Sequence, residues 1–211
     1  MPELPEVEVV RRGLEKAIAG QPEILSFQFF RKDLRDPMPV RKLSALAGGH
    51  LLGIERRAKY LIFRSSKGDF ISHLGMTGVW KLKDKTQLDQ DPEVHEHVRI
   101  HLGDGTGFCY VDPRRFGVLD ILDLQTGKKR LGHLGPEPLS KEFTGELLWQ
   151  ALRGRTSYIK TAIMDQKLVV GVGNIYASEA LHRAGLRPQA LANKISKLRV
   201  QALVMAIKEV L

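Results

Sequence analysis

The hydrophobic pattern of the chain changes period twice, and this constrains the fold more than any other feature. Between Ile24 and Asp123 apolar residues alternate with polar ones in short runs, as where Val98, Ile100 and Leu102 are separated by Arg99 and His101. Glycine-rich turn signals separate the runs. A period of two residues is typical of strands with one buried face. The segment therefore predicts roughly eight antiparallel strands in a sandwich.

Helical periodicity flanks this segment on both sides. Before it, Val7, Val10, Leu14 and Ile18 fall on one face, with Pro5 suited to the first turn. After it, helices are predicted near 142–153, 157–166, 174–184 and 194–211. The pattern breaks at 134–139, which contains two prolines. We therefore expect an α+β chain with an N-terminal β-sandwich domain at 1–134 and an all-α domain at 135–211.

Charge and cysteine content narrow the possible functions. The 211 residues contain 33 Lys and Arg against 24 Asp and Glu, a net charge of +9. Residues 146–211 alone contain ten basic and four acidic side chains, a difference of +6. This balance is expected of a protein that binds a polyanion, although a merely basic soluble protein explains the charge alone equally well. The single cysteine, Cys109, excludes an internal disulfide and a cysteine-rich zinc module.

The chain shows no apolar run long enough for a membrane span, and seven charged residues in the first twenty argue against a signal peptide. We therefore expect a cytoplasmic protein without membrane contact.

The first six residues, Met-Pro-Glu-Leu-Pro-Glu, carry the strongest chemical signal. Removal of Met1 would leave Pro2 as a free secondary amine, and an α-amino group titrates about two to three pH units below a lysine. Such an amine condenses with an aldehyde to an iminium, as a lysine does in a Schiff base. Glu3 is adjacent and Glu6 lies one turn further. Taken alone, these residues are explained more simply as a helix start.

Two other segments suit contact with nucleic acid. Gly171 to Ala177 places two glycines and Asn174 before a helix, which predicts backbone donors for a phosphate, although Gly-Asn is also an ordinary turn and cap. Asp112 to Gly117 combines two arginines and Phe116 in a turn between strands. A hairpin with a solvated basic tip is the simpler interpretation of that turn.

Together these segments resemble the bacterial formamidopyrimidine-DNA glycosylase family over Pro2 to Leu211. The resemblance rests on six motifs in family order: PELPEVE (2–8), RRAKYL (56–61), HLGMTG (73–78), DPRRFG (112–117), HLGPEPL (133–139) and MDQKLVVGVGNIYASE (164–179). It implies a DNA repair enzyme that removes oxidised purines, such as 8-oxoguanine and formamidopyrimidines, and then cuts the abasic strand by β,δ-elimination. Double-stranded DNA with an oxidised base is the implied partner, and the all-α domain at 135–211 is the implied helix-two-turn-helix domain.

The resemblance also implies catalytic roles. Pro2 is the expected nucleophile at the sugar C1′ and Glu3 the group that protonates or deprotonates the opening sugar. Glu6 helps to hold the damaged nucleotide. Lys59, expected on a strand, neutralises a phosphate and donates a proton.

DNA-binding roles follow in the same way. Met76 and Phe116 are apolar wedges that fill the space of the everted nucleotide, and Arg114 donates to the orphaned cytosine. His73, Lys160 and Asn174 resemble the family's phosphate contacts. Each of these residues standing alone would be interpreted as a packing or surface residue.

The chain departs from the family pattern at its end. Most bacterial members continue into a four-cysteine zinc finger, which one cysteine cannot build, so we expect no cofactor or metal and a shortened member or fragment with impaired activity. His97 and His101 share a strand face, but two imidazoles there are more often surface or hydrogen-bonding groups.

Two other functions remain open from the sequence. One is an endonuclease VIII-like glycosylase for oxidised pyrimidines, and the other is a catalytically silent DNA-binding module. We expect a monomer, associated with the nucleoid through DNA.

Overall fold

The amino-terminal helix α1 begins almost at once and spans Leu4–Ala17. Its buried side chains are Leu4, Val7 and Leu14, while Glu6 lies in the first turn and is exposed. The spacing of these apolar residues is that of one helical face, as the sequence predicts.

Eight antiparallel strands follow and form two four-stranded sheets, which confirms the predicted sandwich. The strands are β1 Ile24–Phe29, β2 Leu51–Arg57, β3 Tyr60–Ser65, β4 Phe70–His73, β5 Val79–Lys83, β6 Glu96–Leu102, β7 Gly107–Val111 and β8 Val118–Ile121. One sheet has the order β1-β6-β7-β5 and the other β2-β3-β4-β8.

Aromatic side chains fill the space between the two sheets. The rings of Phe63 and Phe70 stack with centroids 4.4 Å apart, and Phe27 of the opposite sheet meets Phe70 edge to face at 5.6 Å. Trp80 approaches Phe63 at 5.5 Å and donates its indole N–H to the hydroxyl of Ser72 at 3.0 Å. Because truncating a buried Phe or Trp to Ala costs about 3–5 kcal/mol, this layer dominates the stability of the sandwich.

The remaining helices of the first part of the chain are short and were not predicted. They are α2 Val40–Ser44, α3 Lys85–Leu88 and α4 Leu124–Arg130. The acid-rich segment 84–96 is only partly exposed. Asp84 caps α3, Leu88 is buried, and the buried guanidinium of Arg99 donates to the Leu88 carbonyl at 2.6 Å.

The second part of the chain is helical, as predicted, with helices shorter than expected. They are α5 Gly145–Leu152, α6 Ile159–Ile163, α7 Asn174–Arg183 and α8 Lys197–Val210, with a 3₁₀ helix at Ala192–Lys194. Thr144 caps α5 by accepting the Leu147 N–H at 3.2 Å. Phe143, Ile163, Leu181 and Leu203 lie in a separate hydrophobic core.

The computed structural model describes residues 2–211. These residues form two compact units: a sandwich unit of Pro2 with Glu6–Arg130, and a helical unit of Leu131–Leu211 with Glu3–Pro5. None of the helices in the described range is long and apolar enough to cross a membrane.

Candidate functional site

The carboxylate of Glu3 is buried in the helical unit, where it caps the amino end of α7. Glu3 is only 2% exposed. It accepts backbone N–H groups from Gly173 at 3.0 Å, Ile175 at 3.0 Å and Tyr176 at 3.3 Å. The first N–H groups of a helix have no partner within the helix, and Gly173 has no side chain with which to cap them. A carboxylate distant in sequence therefore satisfies these donors and interacts favourably with the helix dipole.

Two glycines make room for this contact. A Cβ atom on Gly173 would overlap the carboxylate of Glu3, and one on Gly171 would overlap the side chain of Leu4. Gly171 also has φ +81°, which favours glycine. The prediction that these backbone donors are available to a phosphate is therefore wrong, because the carboxylate of Glu3 already occupies them.

Lys160 is linked to the backbone of Asn174 through Ser178 in the helical unit. The ammonium of Lys160, on α6, donates to the hydroxyl of Ser178 at 2.9 Å. That hydroxyl donates in turn to the backbone carbonyl oxygen of Asn174 at 2.9 Å. Asn174 is exposed at the first position of α7, and Lys160 is half-buried. The structure thus connects two residues that the sequence singled out separately.

Pro2 is half-buried and directly precedes Glu3 in the chain. The predicted removal of Met1 concerns a residue outside the described range.

Within the sandwich unit, Glu8 of α1 accepts hydrogen bonds from Arg11, Arg12 and Arg56. Burial raises the pKa of Glu8, but these three arginines outweigh it and lower the pKa to about 2. Glu8 is therefore ionised at neutral pH and ties α1 to β2.

Lys59 lies in the two-residue turn between β2 and β3, not on a strand as predicted. Ala58 adopts φ +54°, as tight hairpin turns require. Arg56 donates to the Ala58 carbonyl at 3.0 Å and to Glu8 at 3.0 Å. The turn that carries Lys59 is thereby fixed to α1.

His73, at the end of β4, is a neutral hydrogen-bond donor. Its Nδ1 accepts the Gly75 N–H at 3.0 Å, so the ring proton is on Nε2. Burial lowers the pKa of His73 to about 4, and the positive charges of Lys59, Arg35 and Arg130 act in the same direction. The ring is consequently uncharged at pH 7 despite its basic surroundings.

A cavity of about 420 Å³ in the sandwich unit collects several of the predicted residues. It is lined by Arg35, His73, Gly75, Met76 and Phe116. Met76 is 37% exposed and Phe116 44% exposed. Arg35 was missed, because an isolated arginine in a loop carries no sequence signal.

Arg114 and Phe116 share the loop between β7 and β8. Because β7 and β8 belong to different sheets, this loop crosses between sheets and is not a hairpin tip. The Arg114 guanidinium lies 4.7 Å from the centre of the Phe116 ring. Gly75 has φ +62° and packs so closely on the Phe116 backbone that a Cβ atom would overlap it. Met76, Arg114 and Phe116 are thus presented together.

The histidines near β6 have partners of their own. His97 is buried and donates from Nε2 to the Asp112 carbonyl at 2.8 Å, while His101 lies 3.4 Å from Gln28. In the part of the chain described, one group of potential metal ligands converges: Glu93, Glu96 and Cys109.

That group is already compensated by nearby cations. Lys83 pairs with both carboxylates, and Arg99 pairs with Glu96 at 2.6 Å. Burial raises the pKa of the Cys109 thiol to about 11. These side chains have the character of a structural ion-pair network.

Two family models match the chain. The formamidopyrimidine-DNA glycosylase N-terminal domain matches residues 1–119, and the formamidopyrimidine-DNA glycosylase H2TH domain matches residues 134–211.

Relatives match along the whole chain. The formamidopyrimidine-DNA glycosylase of Bdellovibrio bacteriovorus is 50% identical over 211 residues, covering 100% of this chain and 77% of the relative. That of Syntrophotalea carbinolica is 44% identical over 212 residues, with the same coverage of both chains.

Solved structures match almost the whole chain as well. A structure of MutM in complex with carbocyclic 8-oxo-G containing DNA has a TM-score of 0.89 and 34% identity, covering 99% of this chain and 77% of that one. A complex between the Lactococcus lactis Fpg and an abasic site containing DNA has a TM-score of 0.88 and 34% identity, covering 99% and 76%.

Proposed function

The chain belongs to the formamidopyrimidine-DNA glycosylase family, and on that premise we propose that it excises oxidised purines from double-stranded DNA and cleaves the resulting abasic strand. The substrates are 8-oxoguanine and formamidopyrimidines, and the strand is cut by β- and then δ-elimination. The MutM relative bound to carbocyclic 8-oxo-G DNA supports the choice of lesion, and the Lactococcus lactis relative bound to an abasic site supports the second step.

One observation carries the proposal: a buried carboxylate immediately follows the residue whose amine is the candidate nucleophile. Three backbone N–H groups fix both oxygens of Glu3, so its position is set before any substrate arrives. A catalytic group held in this way does not lose conformational entropy during the reaction. Pro2 is joined to Glu3 by one peptide bond.

The covalent step assigned to Pro2 is nucleophilic catalysis. With Met1 removed, the amine nitrogen of Pro2 attacks C1′, and the bond between the sugar and the damaged base breaks. The amine loses its proton and the sugar ring opens, which leaves an iminium between Pro2 and C1′. The iminium withdraws electrons from C2′, so loss of a C2′ proton expels the 3′ phosphate. Glu3 moves protons at the sugar during ring opening.

Lys59 supplies positive charge and a proton donor. Its turn is held to α1 through Arg56 and Glu8, so the backbone that carries the ammonium is fixed. We assign to it the neutralisation of a phosphate and proton donation to the leaving base or ring oxygen. Glu6, exposed in the first turn of α1, helps to hold the damaged nucleotide.

Eversion of the nucleotide requires that the vacated space be filled. Met76 and Phe116 are exposed apolar side chains on adjacent turns, as a wedge between bases requires. Arg114 stacks on Phe116 and keeps its donors for the orphaned base. Orphaned cytosine presents two acceptors, O2 and N3, to one guanidinium.

The phosphate contacts are assigned to His73, Lys160 and Asn174. His73 offers a neutral Nε2–H, Lys160 offers a cation, and Asn174 offers an exposed amide. The excess of basic residues in 146–211 attracts the DNA backbone over a longer range.

The proposal is tested with three duplexes that carry 8-oxoguanine, thymine glycol or an abasic site opposite their usual partners. We expect excision of 8-oxoguanine, slower excision of thymine glycol, and cleavage at the abasic site that is slower in a Pro2→Gly variant. Faster excision of thymine glycol would identify an enzyme for oxidised pyrimidines. Binding of all three duplexes without cleavage would identify a silent DNA-binding module.

A further inference from the structure

One buried carboxylate bonds to both of the surface turns that carry the candidate wedges. Asp112 is fully buried at the end of β7. Its Oδ1 accepts the hydroxyl of Thr77 at 2.5 Å, and its Oδ2 accepts the Gly117 N–H at 2.8 Å. Thr77 follows Met76 in the chain, and Gly117 follows Phe116. The two oxygens of one side chain therefore connect the two turns.

Thr77 completes this connection from the other side. Its Oγ1 accepts the Arg114 N–H at 3.2 Å while it donates to Asp112. The Asp112 carbonyl oxygen accepts hydrogen bonds from His97 at 2.8 Å and from the Arg115 N–H at 3.1 Å. Thr77 and Asp112 thus form a closed hydrogen-bonded junction between the turns.

Close packing leaves this junction little freedom. A Cβ atom on Gly75 would overlap the Phe116 backbone, and one on Gly78 or Gly117 would overlap the phenol oxygen of Tyr110. Burial, and then the neighbouring Asp112, raise the pKa of Tyr110 far above its usual range. The phenol stays protonated and can donate to Asp112. The junction therefore consists of a buried carboxyl group held by neutral donors, in a space that admits only glycine at three positions.

We propose that Asp112 and Thr77 are positioning residues that make the Met76 turn and the Arg114–Phe116 loop enter the duplex as one unit. The inference rests on the proposed function, since it concerns how the wedges of that function act. Two independent loops would each lose conformational freedom on insertion, whereas a joined pair is organised in advance. The junction thereby couples filling of the vacated space by Met76 to contact with the opposite strand by Phe116 and Arg114.

The test measures energetic coupling between the two wedges. Met76→Ala, Phe116→Ala and the double variant are compared for affinity to a duplex with a tetrahydrofuran abasic analogue opposite cytosine. A 2-aminopurine next to the analogue reports unstacking by its fluorescence. If the wedges act as one unit, either single variant loses most of the binding affinity. The loss of affinity in the double variant is then about tenfold smaller than the product of the two single losses.

The same cycle is repeated in Thr77→Val, which removes the hydroxyl at nearly constant volume, and in the matched control Thr77→Ser, which keeps it. We expect the coupling to disappear in Thr77→Val and to persist in Thr77→Ser. Unchanged coupling in Thr77→Val, or equal loss in Thr77→Ser, would overturn the proposal. Thermal melting checks that each variant folds. If Thr77→Val is unfolded, Thr77→Ala, which also removes the hydroxyl, takes its place with the same expectation and the same refuting result.

The tetrahydrofuran analogue cannot form an iminium, so this result is separate from the reaction chemistry. A wild-type chain that does not bind the duplex would contradict the proposed function. A wild-type chain that binds it, with coupling that ignores Thr77, would contradict only the positioning role.

Discussion

Replacing Glu3 by glutamine tests whether its carboxylate both stabilises α7 and moves protons. Glutamine has the same shape, but its amide presents one acceptor and one donor group. If its oxygen keeps the contacts to Gly173 and Tyr176, its NH₂ faces the Ile175 N–H, which loses its acceptor. An unsatisfied, partly buried donor costs about 1–2 kcal/mol, and loss of negative charge at a helix amino end costs about 0.3–2 kcal/mol.

The expected destabilisation is therefore about 2–3 kcal/mol, or roughly 5–10 °C in the melting temperature for a chain of this length. Faster amide exchange should appear at Ile175. Glu179→Gln removes the same charge from an exposed position on α7 and should change stability by less than about 0.5 kcal/mol.

The same Glu3 variant should excise no 8-oxoguanine while its DNA affinity stays within about threefold of wild type, because size and polarity are kept. Single-turnover excision and a binding titration measure the two effects. Unchanged melting and exchange would refute the capping energetics, and normal excision would refute the proton-transfer role.

Three further predictions concern the sandwich unit. Because burial and neighbouring cations lower the pKa of His73 to about 4, below 6.5 in the unfolded chain, its protonation reduces the free energy of unfolding as pH falls from 6.5 to 4, by at most about 3 kcal/mol. The free energies of unfolding of wild type and His73→Gln, measured by urea denaturation, should diverge only below pH 6.5. A difference that stays constant across the pH range would contradict this. Arg114→Ala should reduce the preference for lesions opposite cytosine over adenine by about ten- to a hundredfold, as measured by excision rates on both duplexes. A preference unchanged from wild type would mean that Arg114 does not read the opposite base. Gly75→Ala combines a positive φ with a clash against the Phe116 backbone, so it should lower the free energy of unfolding in urea by about 2–3 kcal/mol. Gly105→Ala, where φ is positive but space is open, should lower it by only about 1 kcal/mol. Equal losses in the two variants would show that the clash relaxes.

The sequence predicted the class of fold because period and turn signals are local properties. The amino-terminal helix, the eight strands and the helical second part all follow from which residues alternate and where glycine and proline interrupt them. The short helices escaped because tertiary contacts stabilise them. For example, α3 depends on Leu88 and on Arg99, which lies eleven residues further along the chain.

The site was predictable only as residue types. The motifs named Glu3, Gly173 and Asn174, but nothing local shows that a carboxylate at position 3 caps a helix that begins at position 174. The interpretation of the backbone N–H groups at the start of α7 as phosphate donors failed for this reason, because it treated those groups as available. Asp112 stood inside a named motif without a role, because its partner Thr77 lies 35 residues away.

The central claim, that the amine of Pro2 is the nucleophile, is tested most directly by borohydride trapping. The protein is incubated with abasic duplex DNA and sodium borohydride, and the site of the adduct is mapped by mass spectrometry of the digested conjugate. We predict one covalent adduct, attached at Pro2 of a chain that has lost Met1, and a lower yield with Pro2→Gly, whose terminal amine is primary. An adduct on Lys59 or another lysine, or one of equal yield in Pro2→Gly, would contradict the account.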